Sequence, residues 1–179
     1  MNNRELRIVL AGFGGQGVLF GGKVIANAGL IEDRELSWLP SYGPEMRGGT
    51  ANCSVTLSDD PVGSPLVLTP NVLIAMNQPS FDKFIDAVVP GGLVIVDSGL
   101  VPTIKERDDV KICKIPAQQL AEENGCKGLG NIVMVGKLFA ETEFCTRETI
   151  DASIAKCVPP RKQHLLEPNM KALELGVSY

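Results

Sequence analysis

Leu6-Arg7-Ile8-Val9-Leu10-Ala11-Gly12-Phe13-Gly14-Gly15-Gln16-Gly17-Val18 is an apolar run that closes in a glycine cluster and continues as a helical pattern. Leu6 to Ala11 has the length and composition of a buried strand. From Val18 to Leu30, the residues Val18, Leu19, Gly22, Ile25, Ala26 and Gly29 recur at spacings of three and four. That period predicts a helix whose small residues let it lie close on a sheet. Strand, glycine turn and helix together form the first unit of an α/β domain.

Working outward, the same pattern repeats. Leu36–Leu39, Ala51–Leu57, Val72–Met76, Leu93–Val96 and Val110–Ile115 read as further strands. Ser80 to Val88 sets Phe81, Phe84, Ile85 and Val88 on one face, a short crossover helix. Ser80 is its expected N-cap, and Pro90-Gly91-Gly92 its stop. Ala117–Glu123, Asn131–Glu141, Arg147–Lys156 (capped by Thr146) and Pro168–Leu175 complete the helices. Strands alternating with helices predict a three-layer, Rossmann-like open sheet, mostly parallel, with helices on both faces. With 179 residues and no long linker, the chain reads as one domain spanning 1–179. Residues 159–179, beyond Val158-Pro159-Pro160, are expected to be a C-terminal docking arm.

Composition removes several function classes. Hydrophobic residues make up 44% and charged residues 21%, as in ordinary globular proteins. A net charge of −4 argues against nucleic acid, whose phosphates need a basic face. No apolar stretch nears the roughly 20 residues of a membrane span, and the N-terminus lacks a signal-peptide core. The cytoplasm is the expected location. The five cysteines are scattered without a C-x-x-C pair and His164 is the single histidine. A zinc or iron–sulfur site within this chain is therefore not expected, and the cysteines read as free and mostly buried.

Two loops carry the candidate chemistry. Gly12-x-Gly14-x-x-Gly17 between strand and helix, with Gly15 and Gln16 inside it, suits close approach of an anion to a helix N-terminus. Gln16 would add an orientable amide to the backbone donors. A dinucleotide site also requires an acid at the end of the second strand. That strand ends in Trp38-Leu39-Pro40-Ser41-Tyr42, and the acids Glu32, Asp33 and Glu35 come before it. The second loop, Pro40 to Gly49, holds Ser41, Tyr42, Gly43, Glu45, Arg47 and Gly48. Arg47 could offer a fixed guanidinium to a carboxylate or phosphate, and Glu45 could pair with it or with a partner. The bland alternatives are tight packing for the glycines and a solvated ion pair for the second loop. Asn77, Asp97 and Asn131 follow strands or open helices, where each could cap or touch ligand. His164 lies in a polar tail with no catalytic partner beside it.

The ordered set Gly12-Phe13-Gly14-Gly15-Gln16-Gly17-Val18, Pro40 to Cys53, and Asn77-Gln78-Pro79-Ser80-Phe81-Asp82-Lys83-Phe84 resembles the gamma subunit of 2-oxoacid:ferredoxin oxidoreductases. The resemblance runs from Leu6 to about Leu175. The stretch Met46-Arg47-Gly48-Gly49-Thr50 is most similar to the 2-oxoglutarate and branched-chain members. The resemblance implies a multisubunit anaerobic enzyme that oxidatively decarboxylates a 2-oxo acid to an acyl-CoA and reduces ferredoxin. Thiamine diphosphate, magnesium and iron–sulfur clusters are then expected on alpha, beta and ferredoxin-like delta subunits rather than on this chain. It further implies that the gamma module lines the cleft, supports assembly and is associated with coenzyme A, without catalytic residues of its own. A stand-alone nicotinamide or flavin oxidoreductase and a purely structural subunit remain as rival readings.

Overall fold

The computed structural model describes residues 5–41 and 50–179. In chain order its elements are β1 (Glu5–Phe13), α1 (Val18–Ile31), β2 (Glu35–Ser41), β3 (Thr50–Ser58), β4 (Val72–Ala75) and α2 (Gln78–Phe84). They continue as β5 (Leu93–Asp97), β6 (Lys111–Ile115), α3 (Ala117–Glu123), α4 (Gly130–Thr142), α5 (Arg147–Cys157) and α6 (Leu166–Val177). Short 3₁₀ turns at Ile85–Ala87 and Pro160–Leu165 extend α2 and lead into α6.

The six strands form one sheet in the order β2-β3-β1-β4-β5-β6. The β1–β4, β4–β5 and β5–β6 pairings are parallel. β3 runs antiparallel to both of its neighbours, β1 and β2. The expected α/β sheet with helices on both faces is present, and its parallel part is the β1-β4-β5-β6 half. β1 also shows why both faces are covered. Leu6, Ile8 and Leu10 enter one buried cluster, while Val9 and Ala11 enter the other, as the period of two requires.

The two layers are unequal. One face carries α1, α3, α4, α5 and α6 over the larger cluster, which includes Ile25, Ile132, Ile154 and Leu173. The other is covered by α2 and the turn after it, through Phe81, Ile85 and Val88. Helix α2 starts one turn earlier than Ser80 suggests. Its N-cap is Asn77, whose side-chain oxygen accepts the Ser80 N–H at 2.9 Å. The Asn77 oxygen thus serves one of the free donors of the first turn, and Ser80 sits inside that turn as the donor rather than ahead of it as the cap. Thr146 caps α5 as its sequence predicts, accepting the Thr149 N–H at 3.1 Å.

Helix α6 folds back into the helical layer and lies against α4 at backbone distance. Gly136 on α4 faces Leu173 and Gly176 on α6, and Gly176 faces Val133. A Cβ at either glycine would run into the opposite carbonyl oxygen, so this crossing depends on the missing side chains. On α6 the inward positions are Asn169, Ala172, Leu173 and Gly176, one helical stripe headed by an asparagine.

Candidate functional site

The carboxyl ends of β1, β2, β4, β5 and β6 lie along one edge of the sheet, because these strands run the same way. The start of β3 lies there too. In register, Ser41 pairs with Asn52, Gly12 with Ala51 and Phe13 with Thr50. The exposed Ser41 at the end of β2 is thus held at the glycine-loop edge. Tyr42, Gly43, Glu45, Arg47 and Gly48 lie outside the described residues.

The glycine loop runs from the exposed Phe13, Gly14 and Gly15 through the half-buried Gln16 to Gly17. Gly17 occupies the left-handed region at φ 73° and starts α1, with no side-chain cap on that helix. A cavity of about 270 Å³ opens beside it, lined by Phe13, Gly14, Gly15, Leu19, Phe20 and Ala51. Exposed glycine backbone at an open helix start is chemically suited to an anion.

Gln16 does not point its amide at that opening. Its Oε1 accepts the Phe13 N–H at 2.6 Å and the Asn77 side-chain amide at 3.3 Å. Its Nε2 donates to the Met76 carbonyl at 3.1 Å. Gly12 makes room for this, since a Cβ there would lie 2.7 Å from the Gln16 oxygen. Gln16 therefore ties the end of β1 to the end of β4. Asn77, buried and capping α2, extends the tie to a third element.

Asn131 is neither the cap of α4 nor exposed. The cap position is Leu129, and the Asn131 Nδ2 donates to the Gly17 carbonyl at 3.0 Å. The structure thus brings Gly12, Gly14, Gly15, Gln16, Gly17, Asn77 and Asn131 into one connected group. Asp97, at the end of β5, is fully buried and accepts from the Gly99 N–H at 3.0 Å and the Gln118 N–H at 2.9 Å. Burial pushes its carboxyl above the ordinary range, and those N–H groups oppose the shift. Its oxygens pin the β5 turn and the start of α3. Asn169 was not a candidate from the sequence, although it heads the inward stripe of α6.

The sheet order weakens the nicotinamide reading. β3 stands between β1 and β2, so the end of β2 is two strand spacings from the glycine loop, about 9–10 Å. An acid there would be displaced from the place a dinucleotide ribose requires. Among the described residues no three His, Cys, Asp or Glu side chains gather where they could hold a metal ion. The cysteines are free, with Cys53, Cys126 and Cys157 buried. Burial raises the Cys53 and Cys145 thiols to about 12, the opposite of a cluster-ligating thiolate. This donor set does not fit an iron–sulfur cluster. His164 is exposed, and no helix among the described residues is long and apolar enough to cross a membrane.

A family model described as pyruvate ferredoxin/flavodoxin oxidoreductase matches residues 7–179. The ketoisovalerate oxidoreductase subunit VorA of Methanothermobacter thermautotrophicus is 40% identical over 182 residues, covering 98% of this chain and 36% of that protein. This chain thus spans about a third of that relative. The 2-oxoglutarate synthase subunit KorC of Methanocaldococcus jannaschii is 37% identical over 183 residues, covering 98% of this chain and 96% of KorC. Among solved structures, the gamma subunit of a keto/oxoacid ferredoxin oxidoreductase from Geobacter sulfurreducens superposes with a TM-score of 0.84 at 28% identity. It covers 97% of this chain and 96% of that one. The 2-oxoglutarate:ferredoxin oxidoreductase of Magnetococcus marinus, solved with 2-oxoglutarate, coenzyme A and succinyl-CoA, shares the fold. Its TM-score is 0.88 at 24% identity, over 99% of this chain and 31% of that chain.

Proposed function

Because the chain belongs to the pyruvate ferredoxin/flavodoxin oxidoreductase family, we propose that it is the gamma subunit of a 2-oxoacid:ferredoxin oxidoreductase. The substrate we assign is 2-oxoglutarate. The observation that carries this reading is the match to a free-standing 2-oxoglutarate synthase subunit over almost the full length of both chains. The reaction consumes a 2-oxo acid, coenzyme A and two oxidised ferredoxins. It yields the acyl-CoA, carbon dioxide, two reduced ferredoxins and a proton.

Thiamine diphosphate with magnesium supplies the carbanion chemistry of decarboxylation, and iron–sulfur clusters carry the electrons. Both are assigned to alpha, beta and delta partners. This chain contributes surface and position. The glycine loop offers backbone N–H groups from Gly14 to Gly17 at the open start of α1. With Arg47 these would hold the phosphates of coenzyme A, and the cleft edge formed with Ser41, Tyr42, Gly43, Glu45 and Gly48 would close over them. Fixing the thiol carrier lowers the entropic part of the barrier without any proton transfer by this chain. Gln16, Asn77 and Asn131 hold the loop in shape. Segment 159–179, with its inward side packed on α4, would meet a partner through its outward side.

The test is reconstitution with partner subunits and Arg47→Ala. The apparent KM for coenzyme A should rise at least tenfold while the complex still assembles. An unchanged KM in an assembled complex removes Arg47 from the site. A chain that never co-purifies with a thiamine-binding partner refutes the subunit assignment.

A further inference from the structure

The two edges of the sheet are built differently. β6, at one edge, carries Lys111 and Lys114, and both are ion-paired, with Glu141 and Glu106. Charges of this kind keep foreign strands off an open edge. β2 is the last strand on the other side among the described residues. It carries one charge, Glu35 at its start, and one proline, Pro40 near its end. Its middle is Trp38-Leu39, both 37% exposed and on opposite faces of the sheet. The segment crossing the second face beside Leu39 adds Leu66 and Leu68, exposed by 53% and 72%. That segment is anchored by the Val67 N–H, which donates to the Ser54 hydroxyl at 3.3 Å, and Ser54 is the register partner of Leu39.

The register fixes which backbone groups of β2 point away from the sheet. The Asn71 N–H donates to the Arg7 carbonyl and the Met76 N–H to the Ala11 carbonyl, so Arg7, Val9 and Ala11 turn their backbone groups toward β4. Alternation then aims Leu6, Ile8 and Leu10 at β3, where they meet Leu57, Val55 and Cys53. The β3 residues left to bond β2 are Ser58, Thr56, Ser54 and Asn52, paired with Glu35, Ser37, Leu39 and Ser41. Leu36, Trp38 and Pro40 therefore direct their backbone groups outward. The proline sits where an edge tolerates one, with its missing N–H on the open side. Leu36 and Trp38 present N–H donors there, and all three residues present carbonyl acceptors.

We infer that β2 is a self-association edge: it pairs antiparallel with β2 of a second copy about a two-fold axis at Trp38, joining two six-stranded sheets into one. The register centred on Trp38 overlaps the whole strand. It sets Trp38 against the partner's Trp38, Leu36 against the partner's Pro40, Ser37 against the partner's Leu39 and Glu35 against the partner's Ser41. Each outward donor then has an acceptor. The Trp38 N–H bonds the partner's Trp38 carbonyl, and the Leu36 N–H bonds the partner's Pro40 carbonyl. On the helical face, Leu36, Trp38 and Pro40 of both copies form one apolar row. The sole charge of the strand, Glu35, meets a serine at the rim rather than its like. This self-match is what an isologous dimer requires. A seven-residue strand is about 23 Å long and, with side chains on both faces, about 20 Å across. Such a strip buries roughly 900 Å² over the two copies, below the about 1,200 Å² of a standard interface. The dimer is therefore of the weak, concentration-dependent kind.

Trp38 is the single tryptophan and lies on the proposed axis, so its emission reads the contact directly. Sedimentation of the full chain across the micromolar range should pass from monomer to dimer. Over the same range the Trp38 emission should shift to the blue. Hydrogen exchange at the Leu36 and Trp38 amides should slow at least tenfold, while Ser37 and Leu39, bonded to β3, stay equally protected throughout. Leu39→Lys gives β2 the kind of charge that guards β6, and should weaken self-association at least tenfold without changing the melting temperature of the dilute chain. Leu68→Lys, beside the strand rather than in it, should weaken it severalfold. A chain that stays monomeric across that range overturns the pairing, as does a dimer in which the Leu36 and Trp38 amides exchange freely. Association that a folded Leu39→Lys chain retains in full also overturns it. So does protection of the two amides that arises only in the complex with thiamine-binding subunits, because another chain then holds the edge.

Discussion

Gln16 and Asn169 carry the same amide group and use it in opposite ways. At the glycine loop, the Gln16 amide meets a backbone donor, a side-chain donor and a carbonyl from two strand ends. On α6, the Asn169 amide donates once, to the Leu165 carbonyl just ahead of the helix, and leaves its buried oxygen unpaired. A closed amide network fixes a shape, whereas an open one leaves a buried acceptor unsatisfied. The glycine loop is accordingly a platform tied from within, and the recess between the starts of α1 and α4 and the turn into α6 is an apolar socket that includes Asn169.

The largest expected effect breaks the socket alone. Gly176→Val forces a side chain into the Val133 carbonyl and drives α6 from α4. Overpacking of this kind should destabilise the chain by about 3 kcal/mol in denaturant titration. Hydrogen exchange should then rise first in α6, ahead of β1 and the loop at Gly12–Gly17.

Next comes the direct contrast of the two amides. Gln16→Leu leaves the Phe13 N–H and the Met76 carbonyl without their side-chain partners, and should cost about 2 kcal/mol. In the reconstituted complex it should raise the KM for coenzyme A more than it lowers kcat. Asn169→Leu gives up one hydrogen bond to the Leu165 carbonyl but also removes an oxygen that is already unpaired, so it should cost under about 1 kcal/mol. Equal costs for the two would erase the distinction between platform and socket.

A smaller change tests how far the platform extends. Asn77→Ala removes the α2 cap and one contact to Gln16, and should cost about 1 kcal/mol by thermal or chemical unfolding. Asn77→Asp keeps the cap but loses the donor to Gln16, so it should recover part of that stability and little of the loop's rigidity.

The smallest effect is a charged control remote from both. Hydrogen bonds from Lys111 and then Lys137 hold the Glu141 carboxyl well below the usual range, at about 2. A depressed carboxyl pKa stabilises the fold above the unfolded value, near 4.5, and that contribution fades as pH falls toward 2. Melting temperature should drop across that window, and Glu141→Gln should flatten the drop without touching either amide site.

Much of this was legible in the sequence, and the remainder was missing for definite reasons. The strand at Leu6–Ala11 and the helix from Val18 show because a buried strand and a three-four spacing leave plain marks. The insertion of β3 between β1 and β2 does not show, since an apolar period says strand and is silent on neighbour order. One clue was available: the stretch between Leu39 and Ala51 has no helical pattern, and a parallel crossover needs a dozen or more residues. Gln16 was singled out, but its partner Met76 is 60 residues away, so its inward turn has no local signature. Asn169 could have been found. A polar residue heading the stripe Asn169, Ala172, Leu173 and Gly176 is out of place on a buried helix face.

The central claim is that this chain is a positioning subunit, with the oxidation carried out by its partners. The most direct measurement is 2-oxoglutarate- and coenzyme A-dependent reduction of ferredoxin, by the chain alone, by its partners alone and by the reconstituted complex. The account predicts full turnover in the complex alone, with a KM for coenzyme A that responds to changes in the glycine loop. Turnover by the isolated chain, or full activity of the partners without it, would contradict the account.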